Sequence, residues 1–197
     1  MPFGARAGPH RHELALQRDR TALILVDLQE RLLPVVARAG DTEENALRLV
    51  RAAKILGLPI LVTEHQSKVF GETTAGLRQA LGSFHPIPKL TFSAFGTDEF
   101  REKVNALRRR QLLVLGLETH ICVCQTALDG IAAGFTVHAA RDACSARAEF
   151  DHVVGIEKMA AAGVVPCTTE MALFELSERA GTEEFRRLLS LIKEKRT

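Results

Sequence analysis

The sequence predicts an α/β protein, a parallel β-sheet with helices on both faces. Three observations predict it. Short, nearly uninterrupted apolar runs recur along the chain, as strands buried on both faces require. Longer amphipathic stretches lie between them, the alternation of a parallel sheet with its crossover helices. At 197 residues, 46% hydrophobic and 25% charged, the chain has the size and apolar content of one domain with one core.

Residues 1–18 read as a tail and residues 19–197 as that single domain. The opening MPFGARAGPHRHELALQRDR is basic but lacks the apolar segment of a secretory signal. Its Arg-rich, acid-poor composition leaves a short mitochondrial-type transit peptide as the alternative to a tail draped over the surface. The first strand is predicted at 22–26. A helix follows over 42–56, where Ala46, Leu49, Val50, Ala53 and Leu56 share a face; Gly57 stops it and Pro59 opens the second strand at 59–62. Residues 66–83 read as a loop of undefined path. The segment 86–90 carries two prolines, which confines it to a sheet edge. Thr97 caps a helix reaching about residue 109, with Asp98 and Glu99 in its first turn and Arg108 to Arg110 at its end, an order that complements the helix dipole. Strands at 112–117, 135–140 and 164–167, with helices at 120–133, 169–180 and 182–195, complete the alternation.

Composition excludes several function classes. Twenty-six basic residues against 24 acidic ones leave a formal charge of +2, too even for the basic field that nucleic-acid binding needs. Trp and Tyr are absent, and no apolar run reaches the length of a membrane span. Cys122, Cys124, Cys144 and Cys167 form no CxxC pair and lack the density of a secreted disulfide scaffold, so free thiols in a reducing, cytoplasmic compartment are expected. No GxGxxG follows the first strand, which argues against a dinucleotide site.

In open parallel sheets ligands bind beyond the carboxyl ends of the strands, where strand order reverses. Asp27 follows the first strand directly. After the strand at 112–117 comes Glu118-Thr119-His120-Ile121-Cys122, which puts Cys122 in the first turn of a helix, where backbone N–H groups favour a thiolate. If the sheet is doubly wound in the order 3-2-1-4-5-6, these two residues face each other. Each also has a plainer reading: the carboxylate as a helix cap, the cysteine as core.

Three motifs carry a resemblance: Val26-Asp27-Leu28-Gln29, Lys89 with Phe92-Ser93-Ala94-Phe95, and the tract from Gly116 to Thr126. With Asp142-Ala143-Cys144-Ser145-Ala146-Arg147, they make the chain resemble the isochorismatase-like cysteine hydrolases, most of all the isochorismatase-domain-containing subgroup. The resemblance implies a Rossmann-like six-stranded parallel sheet and a catalytic triad. In it Asp27 is the general base, Lys89 the cation that holds the thiolate, and Cys122 the nucleophile. On its residue type alone, Lys89 would be a solvated surface lysine. The resemblance also implies a cis peptide at Leu117–Glu118 and an oxyanion hole formed by the backbone N–H groups of Glu118 and Cys122. Homo-oligomers are common in the family.

Nicotinamidases of this family carry Asp-x-His and a second His after the second strand, where they hold a metal. Here the stretch reads Thr63-Glu64-His65-Gln66-Ser67-Lys68, so neither a metal nor a nicotinamide substrate is expected, and no cofactor is called for. His65, Phe92 and Phe95, with Phe70, are the candidate pocket residues. Cys124, Cys144 and Cys167 are expected in the core, and Asp142 and Arg147 as a structural cap or ion pair beyond the fifth strand. The leading expectation is a hydrolase that cleaves a small amide, carbamoyl or ester-like substrate through a thioester. The alternatives are acid-catalysed cleavage of an isochorismate-type ether by Asp27, and a catalytically silent oligomeric scaffold.

Overall fold

Six parallel strands, β1 (Thr21–Val26), β2 (Ile60–His65), β3 (Ile87–Lys89), β4 (Gln111–Leu117), β5 (Thr136–Ser145) and β6 (Val165–Cys167), form one sheet in the order β3-β2-β1-β4-β5-β6. This is a computed structural model, and it describes residues 11–193. The predicted architecture and strand order are those observed. β1 and β4 lie at the centre with every residue buried, which is why their sequences are almost wholly apolar. The helices are α1 (Ala39–Leu56), α2 (Ser67–Phe70), α3 (Ala75–Leu81), α4 (Asp98–Ala106), α5 (Cys124–Ala132), α6 (Glu149–Ala161), α7 (Thr169–Ser177) and α8 (Glu183–Lys193). α1, α7 and α8 pack together on one side of the sheet, and α5 and α6 on the other.

Local chemistry sets most boundaries. All five periodic apolar residues predicted for α1 are buried, and Gly57 ends the helix in the left-handed region (φ 69°), its N–H returning to Ala53 and Lys54. β3 is an edge strand, as Pro88 within it and Pro86 just before it require.

The sequence reading leaves out α6 and the two short helices of the 66–83 segment. α6 begins Glu-Phe-Asp-His-Val-Val-Gly, where adjacent valines and Gly155 blur the helical signal. β5 also runs five residues further than predicted, through Arg141 and Asp142. A register shift between Val114 and Gly116 on β4 lets Gly116 pair with Cys144, so pairing continues past the charged residues. Asp142 therefore lies within β5, not after it.

Of the predicted tail, residues 1–10 lie outside the described residues. Residues 11–18 pack against the domain: Leu16 is fully buried, its N–H donates to Glu175 Oε2 (2.8 Å), and the Gln111 side chain donates to the carbonyls of Glu13 and Ala15.

Candidate active site

Strand order reverses between β1 and β4, and the two strands stay in register up to the Val26–Gly116 pair. They approach so closely there that a Cβ on Gly116 (φ 138°) would run into the carbonyl of Val26. Asp27 is the next residue of β1, in the left-handed region (φ 54°) that Asp adopts more readily than most residues. On the other side of the crevice β4 continues into a single π-helical turn, Thr119–Val123, that runs straight into α5. Cys122 sits in this turn. Such wide turns often occur at functional sites.

The third side chain comes from the sheet edge. Lys89, the last residue of β3 and the neighbour of His65, reaches inward until its Nζ is 2.6 Å from Asp27 Oδ2, with both side chains wholly buried. The ammonium also donates to the carbonyls of Thr91 (3.1 Å) and Phe92 (2.9 Å), so each of its three protons has an acceptor nearby. The other Asp27 oxygen accepts from Thr63 Oγ1 at 2.7 Å. The Cys122 thiol interacts electrostatically with both Asp27 and Lys89. Asp27 and Lys89 thus meet in one buried ion pair, and Cys122 is electrostatically coupled to both.

The electrostatics differ from the expectation of a standing thiolate. Burial, followed by the Asp27 carboxylate, pushes the Cys122 thiol up to about 12, and Lys89 only partly offsets them. The ammonium is matched by the carboxylate it touches, so little of its charge is left to the sulfur.

Above the thiol is a cavity of about 400 Å³. His65, Phe70, Phe92, Leu117 and Ile121 wall it, and Glu118 and Cys122 both line it. The Leu117–Glu118 peptide bond is cis. His65 stacks on Phe70 (5.7 Å between ring centres) and tilts against Phe92 (5.6 Å); burial, then Lys89, pushes its pKa down. Phe95 is a correction to the predicted pocket. The 3₁₀ turn Ala94–Gly96 carries it into the core, edge-on to Phe100 at 5.0 Å and beside Phe135, so it lines no part of this cavity.

Glu64 and His65 are consecutive in a strand and so face opposite ways. Glu64 is taken up by Thr73, whose N–H (2.7 Å) and hydroxyl (2.8 Å) both donate to it. Among the described residues, no three His, Cys, Asp or Glu side chains are grouped so that they could hold a metal ion. All four cysteines are free and buried; Cys124, Cys144 and Cys167 do not line the cavity.

Sequence reasoning missed several supports of this site. Gln29, quoted only as part of a motif, ties the end of β2 to the loop after α2: its amide donates to the carbonyls of His65 and Gly71 and accepts from the N–H of His65. Thr63, the β2 partner of Val26, carries no signal beyond its place opposite β1. Arg147 does form an ion pair, but its partner is Glu118 (2.8 Å), which brings it to the cavity. Asp142 caps α7 through the N–H and hydroxyl of Thr169.

A family model described as the isochorismatase domain matches residues 21–171. The chain is 32% identical over 173 residues to isochorismatase domain-containing protein 1 of Salmo salar, a match covering 88% of this chain and 61% of that protein. It is 31% identical over 176 residues to isochorismatase domain-containing protein 2A of Mus musculus, covering 89% and 84%. The chain thus spans about three fifths of the type 1 relatives, 61% of the Salmo salar protein and 59% of that of Danio rerio. Among solved structures, one described as the MAR1 ribonuclease of Caenorhabditis elegans superposes with a TM-score of 0.86 at 28% identity, covering 93% of this chain and 94% of that one. The Escherichia coli ycaC gene product, described as an octameric hydrolase of unknown specificity, gives 0.86 at 25% identity, covering 92% of each chain.

Proposed function

The chain belongs to the isochorismatase domain family, and from that premise we propose that it is a cysteine hydrolase cleaving a small amide, carbamoyl or ester-like substrate through a thioester on Cys122. One observation carries this reading: the wholly buried Asp27–Lys89 ion pair interacts with the thiol of Cys122, and Cys122 itself lines a cavity.

Because the resting thiol is protonated, attack and proton transfer go together. Asp27 takes the Cys122 proton as the sulfur bonds to the substrate carbonyl carbon, and the carbonyl electron pair moves onto oxygen. The backbone N–H groups of Glu118 and Cys122 are the proposed donors to that oxyanion. Collapse expels the amine or alcohol, which takes the proton from Asp27 and leaves the thioester. Water then gives a proton to Asp27 and attacks the thioester carbon; the C–S bond breaks and the sulfur is reprotonated. Lys89 stands beside both sites of negative charge. Its ammonium holds the carboxylate charge between steps and offsets the charge on the departing sulfur when the C–S bond breaks, until Asp27 returns the proton.

The large exposed apolar side chains Leu90 (79%) and Phe150 (76%), together with the octameric Escherichia coli relative, support a homo-oligomer. We place its activity on a small molecule, not on nucleic acid: the cavity walls are largely apolar, and the chain's charges nearly cancel. No helix among the described residues is long and apolar enough to cross a membrane.

Intact-mass spectrometry after mixing with p-nitrophenyl acetate tests the mechanism. The wild-type protein is expected to gain one acetyl group that disappears as hydrolysis proceeds; Cys122→Ala gains none. Asp27→Asn acylates about 10²–10⁴-fold more slowly. Undiminished hydrolysis by Cys122→Ala would refute the thioester and leave acid catalysis by Asp27 as the better account.

A further inference from the structure

Three charged side chains line the cavity above Cys122: Arg31, Glu118 and Arg147. They are not equally available. Glu118 is nearly buried, with 11% of its side chain exposed, and both its oxygens are occupied. Oε1 meets Arg147 Nε at 2.8 Å, and Oε2 accepts the backbone N–H of Arg147 at 3.2 Å. The Arg147 side chain is 65% exposed, and its two terminal NH₂ groups donate no hydrogen bond to the described residues. Arg31 is exposed as well and makes a single hydrogen bond, from Nη1 to the carbonyl of Val69 at 2.8 Å.

The negative charge is therefore capped and the two positive charges are open. Two cations against one anion leave the mouth with a surplus of one positive charge, while the buried Asp27–Lys89 pair neutralises itself. A latch holding the β5–α6 loop would account for Glu118 and the Arg147 Nε. It would not account for Arg31, nor for the unused fork of Arg147. Between mouth and floor the walls are apolar, which favours a short hydrocarbon span.

We propose that the substrate carries a carboxylate at the end remote from the carbon attacked by Cys122, and that Arg31 and Arg147 bind it. The inference rests on the thioester reading and assigns the substrate class of the same site. A planar guanidinium matches a carboxylate in shape and hydrogen-bonding pattern, and a partly enclosed site strengthens the match. A cationic substrate would meet the same charge, and a dianion would bring more charge than the mouth can balance.

Two esters differing only at the remote end test it: p-nitrophenyl pentanoate and mono-p-nitrophenyl glutarate, each corrected for its own uncatalysed hydrolysis. The wild-type kcat/KM is expected to be about tenfold higher for the glutarate ester. That ratio should narrow as salt is added, because the mouth is open to solvent. Arg31→Gln and Arg147→Gln each cancel the surplus charge and should bring the ratio towards one. Arg31→Gln guards against a structural artefact, since it leaves the Glu118–Arg147 pair untouched. A wild-type ratio of one or less, or ratios unchanged in both variants, would overturn the proposal while Cys122-dependent hydrolysis kept the thioester reading intact. Equal hydrolysis of both esters by Cys122→Ala would overturn both.

Discussion

Cys122 in the β1–β4 crevice and Cys144 on β5 are both buried, free and held protonated by their surroundings. Burial is the leading cause at each, and each thiol is pushed up to about 12. Acidity therefore does not tell the two regions apart. Three features do: the crevice has a carboxylate able to take the proton, a cation beside it and an open volume for a substrate carbon. Cys144 has the Gly116 backbone as a hydrogen-bond partner and full enclosure. A nucleophile here is defined by where its proton can go and by what can approach it.

The sharpest way to break that comparison is to remove each sulfur in turn. Cys122→Ala is expected to lower ester turnover by about 10³-fold or more, while Cys144→Ala keeps turnover within about twofold and loses about 1 kcal/mol of stability. Steady-state kinetics and urea unfolding of the two variants provide the check; equal losses of turnover would erase the distinction.

Next comes the ion pair, which only the crevice has. Lys89→Met strands the Asp27 carboxylate in a wholly buried position and should cost about 3–5 kcal/mol in urea unfolding. The double variant Asp27→Asn with Lys89→Met should recover much of that loss, because no uncompensated charge remains. An unstable double variant would mean that Lys89 matters for packing.

The smallest effect concerns what the regions share. Both thiols are raised above their ordinary value of 9.0, so each contributes stability that is fully present below about pH 9 and lost as pH rises towards 12. His152 gives the acid counterpart. Pushed down to about 4, mainly by burial, it contributes stability above pH 6.5 that is lost as pH falls towards 4. Unfolding free energies from pH 4 to pH 11 should trace both slopes, and Cys144→Ala and Cys122→Ala should flatten the alkaline one alike. A flattening confined to either variant would show that the two thiols are not in comparable surroundings.

What the sequence could reveal follows from how local each signal is. Asp27 stands directly after one apolar strand and Cys122 in the first turn that follows another, and the end of a parallel strand is where a site belongs, so both were legible. Lys89 was not: it lies on an edge strand only three residues long, and only the resemblance set it apart from a surface lysine. Phe95 shows the limit in a loop, where no period says which way a side chain points; three residues from Phe92, it faces the core. The Glu118–Arg147 pair joins residues 29 apart across β4 and β5, and that pairing exists only once the register shift has set the length of β5.

Gly116 has a consequence for how this site could acquire new ligands. Any side chain there collides with the backbone of Val26, so the strands leading to Asp27 and Cys122 are fixed one against the other at their ends. Widening the gap between Asp27 and Cys122 is closed as an evolutionary route, because the first step costs the fold. The rim is free of that constraint: Val35, Phe92 and Arg147 are all exposed and none supports a strand. On the proposed mechanism, specificity can drift at the rim while the centre below stays fixed, a division of labour between recognition and chemistry.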